Sequence, residues 1–197
     1  IAKMGADIEA NKEFLTELDN VIADGDHGIN MARGFKEVDK IIPTFEGKDI
    51  GTILKQVGMK LLSTVGGASG PLYGTAFMKA GAAAAGKNEV DMNDFIAMLD
   101  AGIEGVIKRG KATTGEKTML DSMIPASEAI KASYAADQDV HKAFAAGVKA
   151  AEDGIEFTKT IKATKGRASY IGDRSIGHQD AGATSFTIML KDIAELV

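Results

Sequence analysis

The stretch LDNVIADGDHGINM places Asp19, Asp24 and Asp26 close together and follows them with Gly28 rather than with basic partners. Three carboxylates that near repel one another unless a cation sits among them, so the segment reads as a metal site. Carboxylate oxygens are hard ligands, which narrows the ion to magnesium, manganese or calcium. A calcium loop opening at Asp24 would need glycine where Ile29 stands and a bidentate acid where Phe35 stands, and neither is present. Simple helix capping uses one Asx side chain, not three. A magnesium site that holds few protein carboxylates and completes its shell with substrate phosphates fits best. Asp19 closes the apolar run Phe14, Leu15 and Leu18, and Gly25 and Gly28 are expected to break the helix and fold the later carboxylates back toward it.

Three further segments carry chemistry suited to anions. In TVGGASGPLYG, residues 64–74, Gly66, Gly67 and Gly70 surround Ser69 just before a helix. Freed backbone amides at a helix start make an anion site, although an ordinary helix-to-helix turn would read the same way. The segment GKATTGEKT, residues 110–118, resembles a P-loop only superficially, because Glu116 separates Gly115 from Lys117 and no strand precedes it. What remains is a flexible loop whose Lys111 and Lys117 could close over a ligand, or else a solvated charged loop. In KGRASYIGDRSIGHQDAGATS, residues 165–185, Lys165, Arg167 and Arg174 lie near His178, Asp180 and a helix starting near Ala181, an arrangement suited to phosphate capture. His141 is expected to be exposed, and Met31, Met59, Met78 and Met98 to fill the core. Carboxylates for magnesium, two glycine turns and a basic loop together describe a site that handles nucleotide phosphate by positioning and charge neutralisation.

The elements that must position these residues read as helices throughout, with no sustained period-two alternation. The expected helices are roughly 2–18, 29–42, 50–65, 71–85, 92–109, 119–135, 139–160 and 181–196, with ends uncertain by about 2–4 residues. Asp49, Asp91 and Asp180 are expected caps, and Gly47, Gly86 and Gly110 expected stops. Short connections imply an all-α, antiparallel up-and-down array, and the long connections at 110–118 and 164–180 are expected to be functional. AGAAAAG at 80–86 reads as a small-residue helix face. A chain of 197 residues with 45% hydrophobic content is most simply one domain, residues 1–197. Absent cysteine excludes disulfides and thiolate zinc, and the net charge of −5 argues against a nucleic-acid partner. No segment approaches the ~20 apolar residues of a membrane span or the core of a signal peptide, so a soluble, cytoplasmic protein is expected.

The blocks LDNVIADGDHGINM, GGASGPLYGT, GKATTGEKTMLD and GRASYIGDRSIGHQDAGATS occur in order over nearly the whole chain, and through them it resembles the nucleotide-binding subunits of dihydroxyacetone kinase, the DhaL or DAK2 family. The resemblance implies a closed up-and-down barrel of about eight antiparallel amphipathic helices with ADP or ATP bound at one rim. It places two magnesium ions on Asp19, Asp24 and Asp26, and nucleotide contacts on His27, Asn30, Ala68, Ser69, Gly110, Met119, Arg167, Asp180 and Gly182. Asp19, Asp24, Asp26 and Arg167 are the residues it makes catalytic. Ala23 stands where the family usually has glycine and Ala181 where proline commonly follows the aspartate, which affects only local backbone shape. The implied activity is phosphoryl transfer to dihydroxyacetone held on a partner subunit. ADP would be rephosphorylated in place by a phosphohistidine protein of the phosphoenolpyruvate phosphotransferase system, or free ATP would serve as donor. Other expectations left open are a fatty-acid-kinase-type nucleotide domain, a metal-stabilised scaffold that binds a transcription regulator, and a homodimer.

Overall fold

A computed structural model describes residues 1–197 and contains nine α-helices, two 3₁₀ segments and no strand. The helices are α1 (Ala2–Ala10), α2 (Lys12–Ile22), α3 (His27–Asp39), α4 (Ile50–Thr64), α5 (Ser69–Ala83), α6 (Met92–Gly110), α7 (Leu120–Asp137), α8 (Val140–Thr160) and α9 (Ala181–Ala194). The 3₁₀ segments are Ile42–Phe45 and Arg167–Ser175. No helix is long and apolar enough to cross a membrane.

Neighbour contacts run α1 to α3, α3 to α4 and onward in order to α9, and α9 returns to α1, so that the helices close a ring with α2 packed outside against α3 and α9. The seam between α1 and α9 is polar: Lys3 reaches Asp7 at 2.8 Å, the buried Asp192 at 3.2 Å and Glu195 at 3.1 Å. One hydrophobic core holds Ile8, Met31, Phe35, Leu61, Tyr73, Leu120, Ile130 and Leu190 of the ring helices together with Leu15 of α2, all buried. Each fully buried side chain of this size stabilises by about 1.5–3 kcal/mol relative to exposure.

The helix boundaries follow from capping. Asp49 accepts from Thr52 N at 3.0 Å, Asp91 from Asp94 N at 2.8 Å and Asp180 from Ala183 N at 2.7 Å, as the sequence implies. Asp139, not foreseen, caps α8 through Lys142 N at 3.0 Å. Gly47 and Gly86 take positive φ outside helices, but Gly110 is not a stop: it is the last residue of α6, and the left-handed turn falls on Lys111 at φ 48°. The expected helix 2–18 is two helices that part at Asn11, whose amide Nδ2 donates to Asp7 O at 2.8 Å. Because α2 continues to Ile22, Asp19 sits within the helix rather than closing it. Met59 is 53% exposed and does not fill the core.

The acidic loop depends on two glycines with different duties. Gly25, at φ 69°, makes the turn between α2 and α3. Gly28 breaks nothing; it lies in the first turn of α3, where a Cβ would come within 2.0 Å of Lys12 O and 2.6 Å of Thr16 Oγ1. Its absent side chain lets α3 lie directly on α2. Gly28→Ala is therefore expected to cost roughly 2 kcal/mol or more of unfolding free energy in urea titration, with Gly25→Ala costing about 1–2 kcal/mol through the left-handed penalty. Unchanged midpoints for both would show that the α2–α3 contact does not constrain the loop.

Candidate metal and nucleotide site

Every second helix begins at one rim of the ring. His27 opens α3, Ser69 opens α5, Leu120 opens α7 and Ala181 opens α9, and all four residues line one cavity of about 460 Å³. Four helix amino termini at one place require the intervening helices to run the other way, which gives the up-and-down order. They also sum four positive dipole ends and their free N–H groups at the cavity wall, an environment that favours anions.

Against these ends stand the three aspartates. Oxygen atoms of Asp19, Asp24 and Asp26 lie within 4.8 Å of one another. The α3 amides hold the cluster: Asp19 Oδ2 accepts from Asp26 N at 2.9 Å and from His27 N at 3.2 Å. Asp19 on α2 is thus the cap of α3, eight positions away in sequence, while Asp26 occupies the local cap position without using its side chain. The carboxylate of Asp26 is left for other ligands, and that of Asp24 meets only the exposed Arg167. An all-oxygen, triply anionic donor set fits a hard divalent cation, and too few protein ligands are present to complete the shell without a second oxygen-rich partner.

Ser69 follows a turn in which Gly67 takes φ 63°. Behind it, His27 is buried with both ring nitrogens occupied: Nδ1 by Ser69 Oγ at 2.9 Å and Nε2 by Ser185 Oγ at 2.9 Å. Burial pushes the His27 imidazole below its ordinary pKa, against the pull of Asp19 and Asp26. Asn30 does not line the cavity; it is buried under the glycine turn, where its Oδ1 accepts from Arg33 Nη2 at 2.7 Å and lies 2.8 Å from where a Cβ on Gly66 would stand.

The two long connections form the remaining wall. Lys117 does not belong to a flexible or solvated loop: it is 2% exposed, and its ammonium donates to the carbonyls of Thr158, Ile161 and His178. Lys111, by contrast, is exposed at the end of α6. Asp121, fully buried, accepts from Gly115 N at 2.5 Å and Thr118 N at 2.8 Å. Thr164 N donates across to Glu116 O at 3.2 Å, so the 111–118 and 161–180 connections are joined. Ile22, Ala163 and Ala168 make a small apolar cluster that seats the second connection on the end of α2. Arg167, exposed, pairs with Asp24 and bridges the basic connection to the acidic loop.

Asp19, Asp24, Asp26, His27, Ala68, Ser69, Gly110, Met119, Arg167, Asp180 and Gly182 all line the cavity; of the residues that the resemblance assigns to the site only Asn30 lies off it, and Lys111, Arg174 and His178, expected from their charge, lie off it too. Sequence reasoning missed Lys117 as an anchor and missed Asp121, Tyr73 and Ser185. Only Asp121 had a readable signal, since T-x-x-D before an apolar run is a capping-box pattern.

A closed helical ring carrying clustered carboxylates, four helix amino termini and an arginine at one rim has the charge arrangement that a hard cation and an anionic ligand together would suit. The chain belongs to the DAK2 domain family, whose model matches residues 21–195. It is 45% identical over 194 residues to the PEP-dependent dihydroxyacetone kinase, ADP-binding subunit DhaL, of Escherichia coli K12, with 98% of this chain and 92% of that protein covered. It is 41% identical over 197 residues to the PTS-dependent dihydroxyacetone kinase, ADP-binding subunit DhaL, of Lactococcus lactis, covering 100% of this chain and 94% of the relative. Its fold matches the crystal structure of the dihydroxyacetone kinase from C. freundii in complex with AMP-PNP and Mg2+, with a TM-score of 0.75 at 22% identity. That match takes in all of this chain and 33% of the longer one, and at this identity it shows the fold alone.

Asp180 makes the site's charge testable. Burial pushes its carboxyl up to about 7 from the ordinary 3.8, helped by the charges of Asp121 and Asp19 and opposed by the Ala183 amide and Lys117. A folded-state pKa above the unfolded value means that the native protein takes up the proton first, so this group's stabilising contribution is present at low pH and is lost as pH rises through about 7. Asp180→Asn keeps the cap without the charge. In metal-free protein the variant is expected to melt above the wild type at about pH 8 and to lose most of that advantage by about pH 4; a gap independent of pH would show that the carboxyl is not held up by its surroundings.

Proposed function

We propose that this chain is the nucleotide-binding subunit of a phosphoenolpyruvate-dependent dihydroxyacetone kinase, a phosphotransferase that carries ADP as a resident cofactor. Its 45% identity to a subunit of that description supports the reading. The observation that carries it is the placement of three carboxylates, within 4.8 Å of one another, beside four helix amino termini on one cavity.

In this reading Asp19, Asp24 and Asp26 would hold two magnesium ions, which when bound would supply charge neutralisation at the phosphates. Asp19 keeps the cluster in register through the α3 amides, and Ser69 with the glycine turn receives the phosphates on backbone and hydroxyl donors. Arg167, tethered at the rim by Asp24, would give up that carboxylate for a phosphate oxygen of the ligand and so clamp the transferred group. Gly110, Met119 and Gly182 border the space for the nucleoside. Little covalent chemistry is asked of the protein; it positions phosphate and balances charge. The acceptor is dihydroxyacetone on a partner subunit, the donor a phosphohistidine protein of the phosphotransferase system. The work is cytoplasmic and needs only one domain.

Asp19→Asn, Asp24→Asn and Asp26→Asn, which retain size and hydrogen-bonding capacity, are each expected to lower phosphoryl transfer roughly 100-fold or more while leaving the helical circular dichroism unchanged. Full activity in any two would remove the metal assignment. Arg167→Ala is expected to weaken Mg-ADP binding in calorimetry well beyond Lys111→Ala, since only the arginine is fixed at the cavity; equal small effects would return Arg167 to the surface.

The resident-cofactor reading is tested by retention of label. Protein carrying labelled ADP should keep it through many turnovers driven by a phosphohistidine donor and the dihydroxyacetone-binding subunit, even in excess unlabelled ATP. Loss of label within a few turnovers, with ATP alone supporting full rate, would make the chain an ATP-dependent kinase subunit instead.

A further inference from the structure

A line of hydrogen bonds runs from the cavity into the core that phosphoryl transfer as described does not use. Ser69 Oγ meets His27 Nδ1 at 2.9 Å, His27 Nε2 meets Ser185 Oγ at 2.9 Å, and Ser185 Oγ meets Tyr73 Oη at 2.7 Å. Tyr73 Oη and Ser185 Oγ each lie 3.1 Å from Gly182 O. His27, Ser185 and Tyr73 are buried, whereas Ser69 is half-buried and faces the cavity.

The donors in this line are countable. A neutral imidazole carries one N–H, each hydroxyl carries one O–H, and the carbonyl of Gly182 only accepts. If the His27 proton sits on Nε2, it is given to Ser185; the remaining hydroxyl protons then supply Gly182 O, and Ser69 must spend its own proton on Nδ1. Ser69 then presents only lone pairs to the cavity. If the proton sits on Nδ1, Ser69 accepts it and keeps its O–H free to point outward. Ser185 must then donate to Nε2 and take its own bond from Tyr73, and no hydroxyl proton remains for Gly182 O. The first order makes one more internal hydrogen bond and suits an empty cavity; the second suits an anion, because lone pairs facing phosphate oxygens would repel them.

We propose that His27 and Ser185 form a tautomer relay that converts Ser69 from an acceptor to a donor when a phosphate group enters the cavity, with Ser185 a positioning residue that acts through His27 without touching the ligand. The proposal rests on the nucleotide reading above. Nδ1 takes the Ser69 hydroxyl proton, Ser69 recovers one from water in the cavity, and the Nε2 proton is given up to water, so that the net change is one proton moved across the imidazole with no charge gained or lost. The ligand thus draws its donor from a reorganisation inside the protein rather than from a protonation. Buried, fully partnered chains of this kind are the setting in which one bond's direction fixes the next.

The test is two-bond 1H–15N correlation NMR of His27 in the full chain labelled at histidine, with and without saturating Mg-ADP. The expected result is Nε2–H in the free protein and Nδ1–H in the complex, seen as an exchange of the pyrrole-like and pyridine-like 15N positions. In Ser69→Ala, a truncation at the half-buried first residue of α5, His27 should stay Nε2–H when Mg-ADP saturates the site, because the ligand has lost its handle on the imidazole. In Ser185→Ala the free protein should show both tautomers, since neither Nε2 state then has a partner. An unchanged tautomer in the wild-type complex, an imidazolium pattern in both states, or a ligand-driven switch that survives in Ser69→Ala would each overturn the relay. Calorimetry on the same samples, stripped of nucleotide beforehand, separates the two readings: no heat of Mg-ADP binding in the stripped wild type removes the nucleotide reading and the relay with it, whereas binding without a tautomer change removes the relay alone.

Discussion

Asp19 accepts two amide protons from the start of α3, and those two bonds hold an acidic loop that would otherwise spread apart. Like charges at this spacing cost energy even near a surface, and the cost falls only when a positive partner is supplied. The fold supplies partial charges from several directions. The amino terminus of α3 is bonded directly to Asp19, those of α5, α7 and α9 open onto the same cavity, and Arg167 pairs with Asp24. Alternation of helix direction around the ring is what brings four like-oriented ends to one rim. The architecture is therefore an electrostatic device as much as a packing solution, and α2 lies outside the ring where it can deliver Asp19.

Much of this was legible before any coordinates. Helical periodicity, aspartate caps and the absence of strand patterning describe the ring correctly, because each is a local property with a local cause. The acidic loop was legible for the same reason, its carboxylates being close in sequence. What could not be read was any feature that depends on contact between distant segments. Asn11 divides the first helix without glycine or proline, so periodicity alone runs across it. Gly28 looks like a helix breaker until α2 is placed 2.0 Å from where its Cβ would be. Met59 has the composition of a core residue, but its face of α4 meets solvent.

The site shows the same division. Its carboxylates, glycine turn and basic connection lie in short segments with chemically suggestive residues. The chain from Ser69 to Tyr73 by way of His27 and Ser185 joins α3, α5 and α9, and serine, tyrosine and histidine at those separations carry no pattern. Lys117 was misread because lysine between charged neighbours in a glycine-containing segment is usually solvated. Here its ammonium is satisfied by three backbone carbonyls and by no carboxylate, which leaves a positive charge inside the wall. Burial pushes its pKa down, while Asp180 and Asp121 draw it back.

That lysine has a mechanical consequence. Its three carbonyl partners belong to the end of α8 and to the connection that follows, while its own backbone belongs to the connection before α7, so one side chain rivets the two together. The two connections accordingly form one joined wall where the chain order suggests two. Lengthening either connection near the rivet would drag the other with it, whereas the glycines at 166 and 172, with nothing within 4 Å of an added Cβ, lie beyond its hold. For anyone re-engineering this scaffold, the separate tolerances of the two connections are one shared tolerance, set by the reach of a four-carbon stem.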